Sequence, residues 1–163
     1  MFTLRKKFIR ITCIVLASIF LCSYVMIAQG SVVKAYDIKG DGSIENYVRG
    51  LYFQLLNREP DQAGFDSWID GYYYGGYTAS DIARGFFFSP EYTTESRIMP
   101  STNRQFVWDC YVALLGRGPS KGELDKYVDY INRGIHTREE VLEGVLTSQE
   151  FLNLCDEWNI IPY

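Results

Sequence analysis

The sequence predicts an all-α fold of two tandem four-helix repeats packed together, preceded by an N-terminal signal-peptide helix. Three observations lead there. Apolar residues recur three and four apart, the period of a buried helix face. Tyr47–Tyr92 aligns over Phe106–Phe151 at a constant offset of 59, without a gap and with 13 identities among 46 pairs. Periodic segments are entered through Ser, Thr or Asp and ended at Pro or Gly, the punctuation of short helices.

The first 35 of the 163 residues read as a targeting segment. MFTLRKKFIR carries Arg5, Lys6, Lys7 and Arg10, and an apolar run follows from Ile11 to about Ile27. Small-residue exits come next, at Ala28-Gln29-Gly30 and at Val33-Lys34-Ala35, with cleavage expected after Ala35. The apolar run lies at the lower edge of bilayer-spanning length, so an uncleaved anchor would be the one route to membrane contact. Cys22 lacks the small residue just before it that lipoprotein cleavage needs. Removing the segment removes five bases and no acid, leaving 11 bases against 20 acids, a formal charge of −9. Such a chain is a poor partner for nucleic acid and suits an extracellular or cell-surface location.

The mature chain divides into a first repeat, 36–99, and a second, 100–163. In the first helix Val48, Leu51, Tyr52, Leu55 and Leu56 form one stripe, matched by Val107, Cys110, Tyr111, Leu114 and Leu115. Pro60 and Pro119 are expected to stop it. Asp61 and Ser120 then cap a second helix, Ser120 in a capping box with Glu123. That helix turns Phe65, Trp68, Ile69 and Tyr72 inward, or Leu124, Tyr127, Val128 and Ile131 in the second copy. Gly75 and Gly134 are expected to end it in the left-handed region. Thr78 with Asp81, and Thr137 with Glu140, open a third helix; Ser89-Pro90-Glu91 and Ser148-Gln149-Glu150 open a fourth.

Most of the conspicuous residues in Leu55–Thr78 are thereby assigned to scaffold. Arg58 and Arg117 fall where a cation suits a helix end, and Glu91 and Glu150 recur with them. The pattern predicts structural ion pairs from Arg58 to Glu91 and from Arg117 to Glu150. Cys110 and Cys155 both point inward within the second repeat. In an oxidising compartment a disulfide between them is expected, closing about 45 residues and contributing about 3–4 kcal/mol in the chain-entropy model.

These residues carry a resemblance. Leu-Leu-x-Arg-x-Pro-Asp-x-x-Gly-Phe-x-x-Trp, then Gly-x-x-Thr, Gly-Phe and Ser-Pro-Glu-Tyr, resembles the bacterial domain of unknown function 4214. The likeness is close over 44–97. Over 103–158 it carries losses, with Glu123 for Gly, Tyr127 for Trp and Gln149 for Pro. That family is common in exported bacterial proteins and is similar to the helical linker domains of cyanobacterial light-harvesting complexes, which act by protein contact. The resemblance implies an exported interaction module and supplies no catalytic residues.

Candidates for chemistry are few. Asp37, Asp41 and Glu45 form a degenerate calcium loop, spoiled by Lys39 at the third position and Val48 at the twelfth. A turn leading into the first helix explains the same residues, and no metal or cofactor is expected. His136 is the only histidine and falls in a turn. The feature left over is the end of the second helix. The first copy has Tyr72, Tyr73, Tyr74 and Tyr77 where the second has Ile131, Asn132, Arg133 and His136. Tyr72 continues the inward stripe; Tyr73, Tyr74 and Tyr77 are candidate contact residues for a protein or a sugar. The function expected is a non-catalytic protein-interaction module of the bacterial surface or medium. A glycan- or cell-wall-binding protein is the alternative, and a small hydrolase the more remote one.

Overall fold

The computed structural model describes residues 43–95 and 102–163, all of it helix and connecting turns. The signal segment, Asp37 and Asp41 lie outside the described residues. Copy one comprises α1 (Ile44–Leu56), α2 (Gln62–Tyr74), α3 (Ala79–Phe87) and a π-helical segment (Glu91–Glu95). Copy two comprises α4 (Asn103–Leu115), α5 (Lys121–Asn132), α6 (Arg138–Leu146) and α7 (Gln149–Glu157).

Local hydrogen bonding fixes the starts. Ser43, Asp61, Thr78, Thr102, Ser120, Thr137 and Ser148 each accept a bond from a backbone N–H three residues on. Thr78, Ser120 and Thr137 close full capping boxes with Asp81, Glu123 and Glu140. The ends differ from expectation in three ways. α1 and α4 are stopped by Asn57 (φ 52°) and Gly116 (φ 65°) in the left-handed region, before either proline is reached. Arg58 and Arg117 consequently lie beyond their helices and serve as bridges, not as dipole partners. In copy one the left-handed glycine is Gly76 (φ 75°), with Gly75 at φ −96°, because α2 runs one residue longer than α5.

One hydrophobic core serves both copies. α1 is the hub of copy one, touching α2, α3 and the π-helical segment; α4 is the hub of copy two, touching α5, α6 and α7. The two hubs pack on each other. Val48, Leu51 and Leu55 are buried in one, Val107, Cys110 and Leu114 in the other. Arg84 and Glu143, themselves equivalent by the 59-residue offset, meet across the join (Nε–Oε1 2.6 Å, Nη2–Oε2 2.9 Å). Equivalent positions touch only near an approximate twofold axis. Tyr92 crosses the same join, donating its hydroxyl to the buried Asp109 carboxylate at 2.8 Å.

The C-terminal tail is a second tie. Trp158 and Ile160 are buried, and the carbonyls of Ile161 and Pro162 accept from the N–H groups of Ala79 (2.8 Å) and Ser80 (3.1 Å). Those are first-turn donors of α3, which have no partner inside their own helix. Copy two thus caps a helix of copy one.

α2 and α5 are outer helices: each buries one residue fully, Phe65 or Leu124, and rests the remainder of its stripe half-buried on the core. Here the copies differ in bulk. Trp68 lies on Gly85, where an added Cβ would come 2.4 Å from the indole; Gly144, its equivalent in copy two, faces open space because Tyr127 replaces the Trp. Gly85→Ala should therefore destabilise by about 1–3 kcal/mol through overpacking. Gly144→Ala should stabilise by about 0.5–1 kcal/mol through helix propensity. Urea unfolding midpoints of the two variants check the opposite signs.

Candidate contact surface

The end of α2 is shaped by the absence of a side chain at Gly71. The Tyr77 ring lies against it, so close that a Cβ there would stand 2.4 Å from Cδ2. Tyr77 N–H donates to the Gly71 carbonyl at 3.0 Å, and Gly75 N–H donates to both Asp70 and Gly71. Copy two inverts the bulk: Tyr130 stands at the Gly71 position and packs on His136 at 5.3 Å. Its turn is a regular Schellman closure, with Ile135 N–H to Tyr130 O and Gly134 N–H to Ile131 O.

The three candidate tyrosines are consequently unlike one another. Tyr77 keeps an outer edge in solvent, while its ring contacts are Gly71 and Trp68 (6.3 Å). Tyr73 and Tyr74 are 57% and 86% exposed. Tyr73 stands edge-on to Tyr72 (5.4 Å, 81°) and tilted to Tyr74 (6.4 Å, 54°), so neighbouring rings share no plane. The Tyr73 hydroxyl donates to Glu45 Oε1 at 3.3 Å. Desolvation and then the Glu45 carboxylate push its phenol above the ordinary value. Tyr72 turns back to the fold, its hydroxyl accepting from Ile161 N–H at 2.9 Å.

The arginines bind where sequence placed them, and their work is structural. Arg58 grips Glu91 through two bonds (2.5 and 2.9 Å), reaches Asp61 at 3.2 Å and stacks over Tyr52 at 4.8 Å. Arg117 repeats this with Glu150 (2.6 and 2.7 Å), Glu123 at 3.0 Å and Tyr111 at 5.1 Å. In each copy the fork ties the fourth helical segment to the turn after the first helix. Bidentate geometry at an aromatic face is a role lysine fills poorly.

The expected Cys110–Cys155 disulfide is not formed. Both cysteines are free and buried. Both lie inward, as the stripe requires, but they serve different neighbours. Burial first, and then Cys155, raise the phenol of Tyr47 in copy one, whereas Cys110 lies near Asp109 and Arg138 of its own copy. Burial pushes the Cys110 thiol well up and the Cys155 thiol to about 12, so neither is a nucleophile at neutral pH.

No group of three His, Cys, Asp or Glu side chains is arranged to hold a metal among the described residues. Glu45, the described member of the degenerate loop, is engaged by Tyr73. His136 lies 3.4 Å from Glu140 in an exposed turn. Among the described residues no helix is long and apolar enough to cross a membrane. Sequence reasoning missed the C-terminal tail, although Trp158 and Ile160 after the last helix were its signal. It also missed the carboxylates that flank the tyrosines on α2, Asp66 and Asp70.

The family described as "Domain of unknown function (DUF4214)" matches residues 33–96 and 83–155. The chain belongs to that family and carries it in two copies. The matches overlap over 83–96, the stretch from α3 into the π-helical segment. No curated protein and no solved structure matches the chain.

The Arg117 network carries a pH signature. Arg117, then the Ser120 cap, hold the Glu123 carboxyl down at about 2, against 4.5 for a free glutamate. A depressed folded value stabilises above the unfolded value, and that contribution is lost as pH falls from about 4.5 to about 2. Glu123→Gln should flatten the stability profile in that window and leave the Arg58 network intact. Denaturant midpoints between pH 7 and pH 2 check this.

Proposed function

We propose that this DUF4214 protein is an exported, non-catalytic interaction module whose contact surface is the exposed end of α2. The observation that carries the reading is the exposure of Tyr73 and Tyr74 on a helix fixed at both ends. The cap at Asp61 and the Tyr77–Gly71 contact hold the backbone, so two large rings are presented at little further ordering cost. Copy two ends the equivalent helix with Asn132 as its last residue and Arg133 as its C-cap, so the scaffold itself does not call for the tyrosines.

Protein is favoured over glycan as the partner by ring orientation. Sugar faces stack on flat aromatic platforms, and Tyr72, Tyr73 and Tyr74 stand at steep angles to one another. Binding in place of catalysis is favoured by the carboxylates. Asp61, Asp81, Glu91, Glu123, Asp125, Glu140 and Glu143 are all held below their ordinary values by caps or cations. A general acid needs the opposite shift. Export follows from the basic start and apolar run of residues 1–35.

Immobilised chain incubated with a surface-protein extract, and separately with peptidoglycan, tests the reading. Tyr73→Ser with Tyr74→Ser should abolish retention of a protein and leave the melting temperature nearly unchanged, since both rings are exposed. Tyr77→Ser should lower the melting temperature. Retention on peptidoglycan that vanishes in the double variant would instead make the surface a sugar site.

A further inference from the structure

The two copies differ in the charge of their outer helices, and the fold does not require the difference. Asp66 and Asp70 on α2 correspond to Asp125 and Asp129 on α5. In copy two both aspartates are paired. Lys121 and Arg104 hold Asp125, and Arg133 holds Asp129 at 3.1 Å. Lys126 lies beside them, 5.1 Å over the Tyr127 ring and 5.7 Å over Tyr130. The positions equivalent to those four cations hold Glu45, Gln62, Ser67 and Tyr74 in copy one.

The consequences are local and specific. Among the described residues Asp70 has no cationic partner, Asp66 receives the Gln62 amide at 2.8 Å, and Glu45 receives the Tyr73 hydroxyl. Over these six positions copy one carries a net −3 and copy two a net +2. Asp66, Asp70, Tyr73 and Tyr74 stand at i, i+4, i+7 and i+8, one stripe of α2, and all four are exposed. A solvated acidic surface accounts for the two aspartates. It does not account for the loss of a cation at four separate positions beside two uncovered aromatic rings.

We propose that the anionic, tyrosine-bearing face of α2 receives the cationic face of α5 from a second copy of the chain, joining chains head to tail. This inference rests on the reading of Tyr73 and Tyr74 as a contact surface and names what covers them. The complementary charges are present on the same sequence, and the tyrosines suit ammonium groups as Tyr127 and Tyr130 suit Lys126. α2 packs on α1 and α5 on α4, so the two faces belong to different helices. The contact is heterologous, leaves one free face of each sign, and lengthens with concentration.

Sedimentation equilibrium of the purified chain over rising concentration tests it. At about 50 mM salt the average mass should climb above the monomer value, and at about 500 mM it should fall back as the charges are screened. Asp66→Lys with Asp70→Lys makes both faces cationic; Lys121→Glu with Lys126→Glu makes both anionic. Each variant alone should associate about tenfold more weakly or worse. An equimolar mixture should recover assembly, because each variant then meets its complement. All four positions are exposed, and unchanged melting temperatures establish that both variants fold. A wild-type chain that stays monomeric, or a mixture no larger than its parts, overturns the proposal. In that event, loss of an extract protein on replacing Tyr73 and Tyr74 would leave the contact surface standing with another partner. No loss in either assay would remove both readings.

Discussion

The packing of α1 against α4 is the constraint on which the rest depends. Each is the hub of its copy, and neither can be covered by its own short helices alone. Val48, Leu51 and Leu55 are buried on one hub, and Val107, Cys110 and Leu114 on the other. A unit of roughly 60 residues buries too small a fraction of its surface to be comfortably stable by itself. Two such units joined through their most apolar helices share one core and remove that shortfall. The approximate twofold then dictates the polar contacts at the join. A residue near the axis meets its own equivalent, and a like pair there would repel. Divergence of one position to arginine and the other to glutamate, as at Arg84 and Glu143, converts repulsion into a bidentate bond.

The ties between copies are made of groups that would otherwise be unsatisfied. The first-turn N–H groups of α3 lack partners within the helix, and carbonyls of the C-terminal tail supply them. Tyr92 is buried at the join and gives its hydroxyl to Asp109, a carboxylate that Gln105 also serves at 2.8 Å. Such contacts contribute direction more than energy. A hydrophobic join alone would tolerate sliding; a buried phenol and a capped helix end accept a narrow range of geometries.

What was legible in the sequence was what is decided locally. Caps at Asp61, Thr78, Ser120 and Thr137 were readable because donor and acceptor lie three residues apart. The Arg58–Glu91 and Arg117–Glu150 pairs are not local, but the repeat made them readable, since both members recur at the same offset. Trp158 and Ile160 signalled that the tail packs, but its docking site on α3 was not readable, because that partner lies some 80 residues earlier and no periodicity announces it. The two cysteines were correctly turned inward, yet a stripe says which side of a helix faces the core and not which neighbour is met there. The shift from Gly75 to Gly76 followed from one added residue of helix, below the resolution of a gapless alignment. Exposure of Tyr73 and Tyr74 was legible by elimination. The carboxylates beside them were visible as a conserved spacing within the chain but had no meaning until the cations of copy two were seen around their equivalents.

A duplicated fold separates what the scaffold needs from what a surface has been given. Positions identical in both copies are mostly caps, turns, core and the Arg–Glu bridges. Some differing positions change together: Gly71 with Tyr77 against Tyr130 with His136, and Trp68 on Gly85 against Tyr127 beside an open Gly144. In copy one the partners touch, Tyr77 on Gly71 and Trp68 on Gly85, so packing ties the members of each pair together. The outer stripes of α2 and α5 follow neither pattern. Two aspartates are retained while every neighbouring cation changes, and among the described residues only neutral groups, the Gln62 amide and the Tyr73 hydroxyl, reach the acids of copy one. α5 shows that the equivalent helix forms with those charges neutralised, so helix formation by itself does not decide the choice. A difference that helix formation does not decide is the part of the surface left free for a contact, and it is this part that the proposed pairing of α2 with α5 uses.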